Sequence, residues 1–184
     1  MITREDALIL LESFQPEAHM LRHALASEAV MRALARHFSE DGGLWAMAGL
    51  LHDVDYPLTM DNPDEHGVRA MEILKDKLPQ EALDAIKAHN SECTGLEPRS
   101  RLDFALRAGE SITGLVNAAV LMRPMGIEGM QVKSLKKKMK DKAFAAAVSR
   151  ERIRECERAG LGLDDFLGLA ISAMTPLYTE TGGN

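Results

Sequence analysis

Residues 44–51 read LWAMAGLL, eight consecutive positions without a charge. Leu44, Met47, Ala48 and Leu51 recur at the i, i+3, i+4, i+7 spacing of a helix, and the positions between them are apolar as well. Such a helix is buried on most sides, so the rest of the chain has to fold around it. Strand signals for that wrapping are nearly absent: there is no alternating apolar pattern and no Asn-Gly hairpin turn. The surrounding elements are therefore helices, and the fold class is all-α.

Helix punctuation runs along most of the sequence. Thr3 with Asp6 reads as a cap before ALILLESF. Pro16 opens a long helix to about Phe38, with Met20, Ala24, Ser27, Met31, Leu34 and Phe38 facing inward. Gly42-Gly43 reads as a break. Asn62-Pro63 is a cap followed by Pro at the first helical position, which puts His66 in the first turn of the next helix. Pro79 starts a short helix ending near His89-Asn90. A long one is expected from about Arg101 to Met122, then further helices over 156–180 and a loose tail at 181–184.

The 184 residues read as one domain, with no internal repeat, low-complexity linker or second unit. Cys93 and Cys156 match no CxxC spacing and no disulfide framework, so a reduced, cytoplasmic protein is expected. The start, MITREDALIL, lacks the pattern of a signal peptide, and no uncharged apolar run reaches the roughly 18 residues of a membrane span. The net charge of −6 argues against general nucleic-acid affinity, although six of the nine lysines crowd between Lys133 and Lys142. A homo-oligomer is compatible with this composition.

Two features conflict with a purely structural reading. The segment 108–122, AGESITGLVNAAVLM, carries one charge, Glu110, on the flank of a stripe formed by Ala105, Gly109, Ile112, Val116, Ala119 and Val120. An ionised carboxylate there needs a cation, and Arg107 at i−3 is the nearest in sequence. The histidines are the second feature: His52 and Asp53 end the apolar helix, His66 begins one, His89 ends one, and His23 lies close to an inward face. Helix ends can converge in a bundle, and imidazoles with carboxylates suit Zn, Fe, Mn, Co or Ni rather than Ca or Mg. A lone histidine on an apolar face is more often a hydrogen-bonded core residue. Four of them with a His-Asp doublet and a stranded glutamate point to metal.

The order His23, His52-Asp53, His66, His89, Glu110 resembles the HD-domain superfamily of metal-dependent phosphohydrolases. The longer H…HD…H…H…D pattern is similar to its two-metal members. The flanks LRHALASEAVMRALA, WAMAGLLHDVDY, AIKAHN and GESITGLVNAAV look most like small, stand-alone HDIG-type bacterial proteins. The resemblance covers about residues 16–155 and implies a compact bundle of about seven or more helices. By position, it implies that His23, His52, Asp53 and the last acidic residue hold one metal. Asp53 would bridge to a second metal held by His66 and His89. The family usually ends the motif in aspartate; Glu110 stands there in this chain and is carried as the ligand.

One or two divalent transition-metal ions are the implied cofactor. The implied activity is hydrolysis of a small phosphorylated substrate, a nucleotide or other phosphate ester, by attack of a metal-bound hydroxide on phosphorus. Asp53 is the central catalytic candidate. Asp55 either orients the attacking water or is a turn residue. The lysine run places Lys133, Lys137 and Lys140 on one helix face, and the similar proteins tend to show a KSxKKK-like segment, so the resemblance implies that these, with Arg150 as a weaker candidate, contact substrate phosphate or carboxylate. The bland reading of that run is a solvated basic face. His19 and His37 are read as exposed or structural, and Trp45 as core.

Three other functions fit the same residues. The ligand order suits a di-iron oxygenase on the same scaffold. The metal and lysines suit a non-catalytic metal- or ligand-binding module. The lysine run alone suits nucleic-acid binding with a steep salt dependence, against which the acidic remainder of the chain argues.

Overall fold

In the computed structural model, which describes residues 1–179, helices follow one another and no strand occurs among the described residues. Helix α1 (Arg4–Ser13) begins where its cap predicts, with Thr3 Oγ1 accepting from the Asp6 amide at 3.1 Å. Helix α2 (Ala18–Phe38) follows and ends at Ser39, which is left-handed with φ 59°. The expected break at Gly42-Gly43 falls earlier. Asp41 accepts from the Gly43 and Leu44 amides, so both glycines lie in the first turn of α3 (Gly42–Leu51).

Every residue from Leu44 to Leu51 is buried, as an all-apolar helix requires. Its tightest neighbour is α2. A Cβ on Gly49 would come within 2.7 Å of the Ser27 carbonyl oxygen, so only glycine lets the two backbones approach this closely. Short helices α4 (Tyr56–Thr59), α5 (Val68–Leu74), α6 (Gln80–His89) and α7 (Ser91–Thr94) then lead to the second long element, α8 (Arg101–Leu121). A capping box starts α8, Ser100 and Asp103 each accepting from the other's backbone amide. Helix α8 packs on α2 and α6, so the chain segments bearing His23, His52 and His89 meet around one interior.

Helices α9 (Val132–Lys140), α10 (Arg150–Arg154), α11 (Cys156–Ala159) and α12 (Leu163–Thr179) complete the described chain. The apolar cluster runs through all of it, from Ala7 to Met174. In α9 the apolar side chains Leu135 and Met139 are buried and Val132 packs against the core, leaving the lysines on the outer face. Lys136 pairs with Asp164 of α12 at 2.7 Å, and Lys138 lies over the Phe144 ring. No described helix is long and apolar enough to cross a membrane. The tail expected at 181–184 lies outside the described residues.

His66 departs from its expected position. Pro63 starts only a single 3-10 turn, Pro63–Glu65, and His66 follows with extended backbone at φ −65° and ψ 127°. The chain turns at Gly67, φ 86°, and α5 begins at Val68. The cause is Asp55, whose Oδ2 accepts from the amides of Gly67 at 2.8 Å and Ala70 at 2.9 Å. That carboxylate caps α5 from outside and leaves His66 in the joint between two short helices.

Candidate metal centre

Asp53, two residues beyond the end of α3, lies among four imidazoles. Its Oδ2 is 3.3 Å from His52 Nε2 and 3.5 Å from His23 Nε2. Its Oδ1 is 3.2 Å from His66 Nε2 and 3.4 Å from His89 Nε2. Two triads result, His23/His52/Asp53 and Asp53/His66/His89, and within each the ligand atoms lie within 4.8 Å of one another. The two Nε2 atoms of each triad are 3.1 Å apart.

The other ring nitrogens fix which way each lone pair points. His52 Nδ1 is 2.8 Å from the Gly49 carbonyl and His89 Nδ1 contacts the Ile86 carbonyl, so both must donate. His66 Nδ1 donates to Asp55 Oδ1 at 2.9 Å. His23 Nδ1 meets Thr113 Oγ1 at 2.8 Å, and that hydroxyl gives its own proton to the Glu110 carbonyl, so it accepts from His23. All four imidazoles therefore carry their structural proton on Nδ1 and aim Nε2 at Asp53. Such orientation by an outer partner is characteristic of metal-ligating histidines.

Lone pairs opposed at 3.1 Å repel unless positive charge lies between them. Burial works against a charge on His52, but Asp53 outweighs it and raises its pKa. His66 behaves likewise: burial opposes the charge, yet hydrogen bonds to Asp53 and Asp55 push it up to about 10. His23 is lowered, first by burial and then by His52. Burial alone would raise Asp53, but the surrounding imidazoles bring it well below the usual carboxylate value. Each triad thus attracts one positive charge. A pair of imidazole nitrogens with a carboxylate oxygen is the donor set of a divalent transition metal, so the residues present fit such an ion in either triad.

Several expected residues do other work. Asp55 is wholly buried, and its carboxylate is spent on His66, Gly67 and Ala70; it positions a ligand instead of facing the space between the imidazoles. Glu110 belongs to neither triad. Its Oε1 accepts from Ser111 Oγ at 2.7 Å and faces Arg152 Nη1 at 3.5 Å, while its charge still acts on His23 and His52. The cation it meets is therefore Arg152, from α10, and not Arg107. Arg107 pairs with Glu155 at 2.7 Å and Glu92 at 3.1 Å, and donates to the carbonyls of Ala88 and His89, holding the end of α6 on which His89 stands.

A cleft of about 520 Å³ opens beside the first triad, with His23, Glu92, Glu110, Ser111 and Arg152 in its wall. Nothing in the sequence points to Glu92 or Arg152, because their neighbours in the chain carry no motif and only the fold brings the two side chains within 2.6 Å of each other. Lys133, Lys137 and Lys140 are exposed on α9 and do not line this cleft. Arg150 turns away too: its guanidinium donates to the carbonyls of Asp141, Phe144, Ala145 and Val148, pinning the loop before α10. His19 is exposed beside Glu17, His37 stacks edge-on against Phe38, and Trp45 is in the core.

Fold and centre together define a helical protein built around a histidine–aspartate cluster that could hold metal. The HD domain model matches residues 20–133, more than half of the sequence, and the chain belongs to the HD domain family. Members of that family bind divalent metals and are generally metal-dependent hydrolases. Neither a curated protein nor a solved structure matches the chain.

Proposed function

We propose that this protein is a metal-dependent hydrolase of a small phosphorylated molecule, a nucleotide or other phosphate ester. The observation that carries the reading is the convergence of four Nε2 lone pairs on the one carboxylate, Asp53, that both triads share. His23, His52 and Asp53 would hold one ion, and Asp53, His66 and His89 the other. Divalent cations so held supply Lewis acidity, making water a nucleophile near neutral pH and accepting charge from phosphoryl oxygens.

The chain's own residues do the rest. Asp55 Oδ1 keeps the His66 proton on Nδ1, so that Nε2 stays available as a donor to metal. Thr113 does the same for His23. The cleft admits substrate from the His23 side, while His52 and His89 are buried and shielded from bulk water.

The test is a panel of phosphate esters offered to the purified protein with Mn, Co, Zn or Fe, under air and under anaerobic conditions. Turnover of a phosphate ester without oxygen is the expected result. Oxygen consumption by the iron-loaded protein without phosphate release would replace the proposal with oxygenase chemistry, and metal binding without turnover of any kind would make the site a binding module.

A further inference from the structure

The charges in the cleft wall limit what it can hold. Among the described residues Arg152 is the one permanent cation lining it, and two carboxylates, Glu92 and Glu110, flank that guanidinium. Glu92 takes one edge of it, with Arg152 Nη2 at 2.6 Å and Nε at 3.3 Å. Glu92 is held in turn by Arg107, itself buried and hydrogen-bonded to backbone carbonyls of α6. The guanidinium is therefore anchored by one side, and its plane is set by a chain of contacts reaching into the core.

Its remaining nitrogen, Nη1, is left with Glu110 at 3.5 Å. That is longer than the roughly 2.7–2.9 Å of a charge-assisted hydrogen bond, so the donor is not closed. Arg152 and His23 line the same cleft. The rest of the wall includes small and uncharged residues, Gly114, Ala147 and Val148, where a Cβ on Gly114 would meet Val148 Cγ2 at 2.9 Å. An anionic group at Nη1 would thus leave a neutral organic body along the apolar side.

Resting on the hydrolase reading above, we propose that Arg152 is the anchor for the substrate's anionic group, and that Glu92 and Glu110 restrict that group to a single phosphate. One open donor between two carboxylates can accept one phosphate. Ions held in the two triads would be engaged by that first phosphate, so a di- or triphosphate would bring further negative charge against Glu92 and Glu110 with no second cationic side chain among the described lining residues to meet it. The substrate class is a phosphomonoester with an uncharged body, not a polyphosphate and not a nucleic acid.

The experiment uses the metal-loaded protein and reads two quantities: calorimetric affinity for inorganic phosphate, and kcat/KM for a mononucleotide against the corresponding triphosphate. Arg152→Ala should weaken phosphate binding by about tenfold or more, as loss of a charge-assisted hydrogen bond implies, at unchanged metal content. Arg152→Lys should recover part of it, since it keeps the charge and loses the fork. The wild type should prefer the monophosphate, and Glu110→Gln should narrow that preference. Equal phosphate affinity in wild type and Arg152→Ala overturns the anchor, whether or not any ester is turned over. A triphosphate hydrolysed as readily as the monophosphate overturns the restriction. Phosphate binding that depends on Arg152 in a protein that hydrolyses no ester would sustain the anchor and overturn the hydrolase reading alone.

Discussion

At the scale of single residues, the two aspartates separated by one position do different jobs, and burial explains the division. Asp53 keeps an edge open between imidazoles, while Asp55 is closed on every side by three hydrogen bonds. Asp55→Ala should therefore act on stability as well as on the site. Losing a buried carboxylate that caps α5 and orients His66 is expected to lower unfolding free energy by about 2–4 kcal/mol, measured by urea denaturation. A loss within experimental error would mean that the His66 joint is held by something else. The gathering of imidazoles at Asp53 was legible because His52-Asp53 follows an unbroken apolar run, and charge there needs a reason. It carried Glu110 less well. The need for a cation was legible, but the cation, Arg152, lies 42 positions away and is brought near only when α10 packs on α8.

At the scale of elements, the contact between α2 and α3 sets the spacing of the first triad, since His23 rides on one helix and His52 ends the other. Gly49→Ala would press a methyl group against the Ser27 carbonyl and the Met31 side chain. We expect a cost of about 1–3 kcal/mol in thermal or chemical unfolding, as for other overpacked cores; a neutral substitution would show that the two helices can part freely. Helices α7, α8 and α10 are joined by Glu92, shared between Arg107 and Arg152. Burial would raise its pKa, but those two guanidiniums hold it at about 2, against an ordinary value of 4.5. A depressed carboxyl contributes stability above its unfolded value and loses that contribution as pH falls through the folded one. Wild type should thus lose melting temperature between pH 4.5 and about 2 more steeply than Glu92→Gln. Identical acid profiles would exclude Glu92 as the joint. Helix boundaries were legible from capping residues, as at Thr3 and Ser100. The 3-10 turn before His66 was not, because its cause is a side chain eleven positions earlier.

At the scale of the whole molecule, the all-α architecture follows from the sequence pattern, since one helix without charges obliges the others to surround it. The lysine run was conspicuous in the sequence, but Leu135 and Met139 turn its apolar side to α12 and its charges outward, away from the cleft at His23. The part of the molecule that gathers charge inward is the centre around Asp53, and the proposed chemistry requires that centre to hold metal. Elemental analysis of the purified wild type beside Asp53→Ala tests this most directly. One or two divalent transition-metal ions per chain are predicted in the wild type, and none in the variant, with the helical circular dichroism of both alike. A wild type that retains no such ion and gives no heat when titrated with Mn, Co, Zn or Fe, or an Asp53→Ala variant that binds metal as the wild type does, would contradict it.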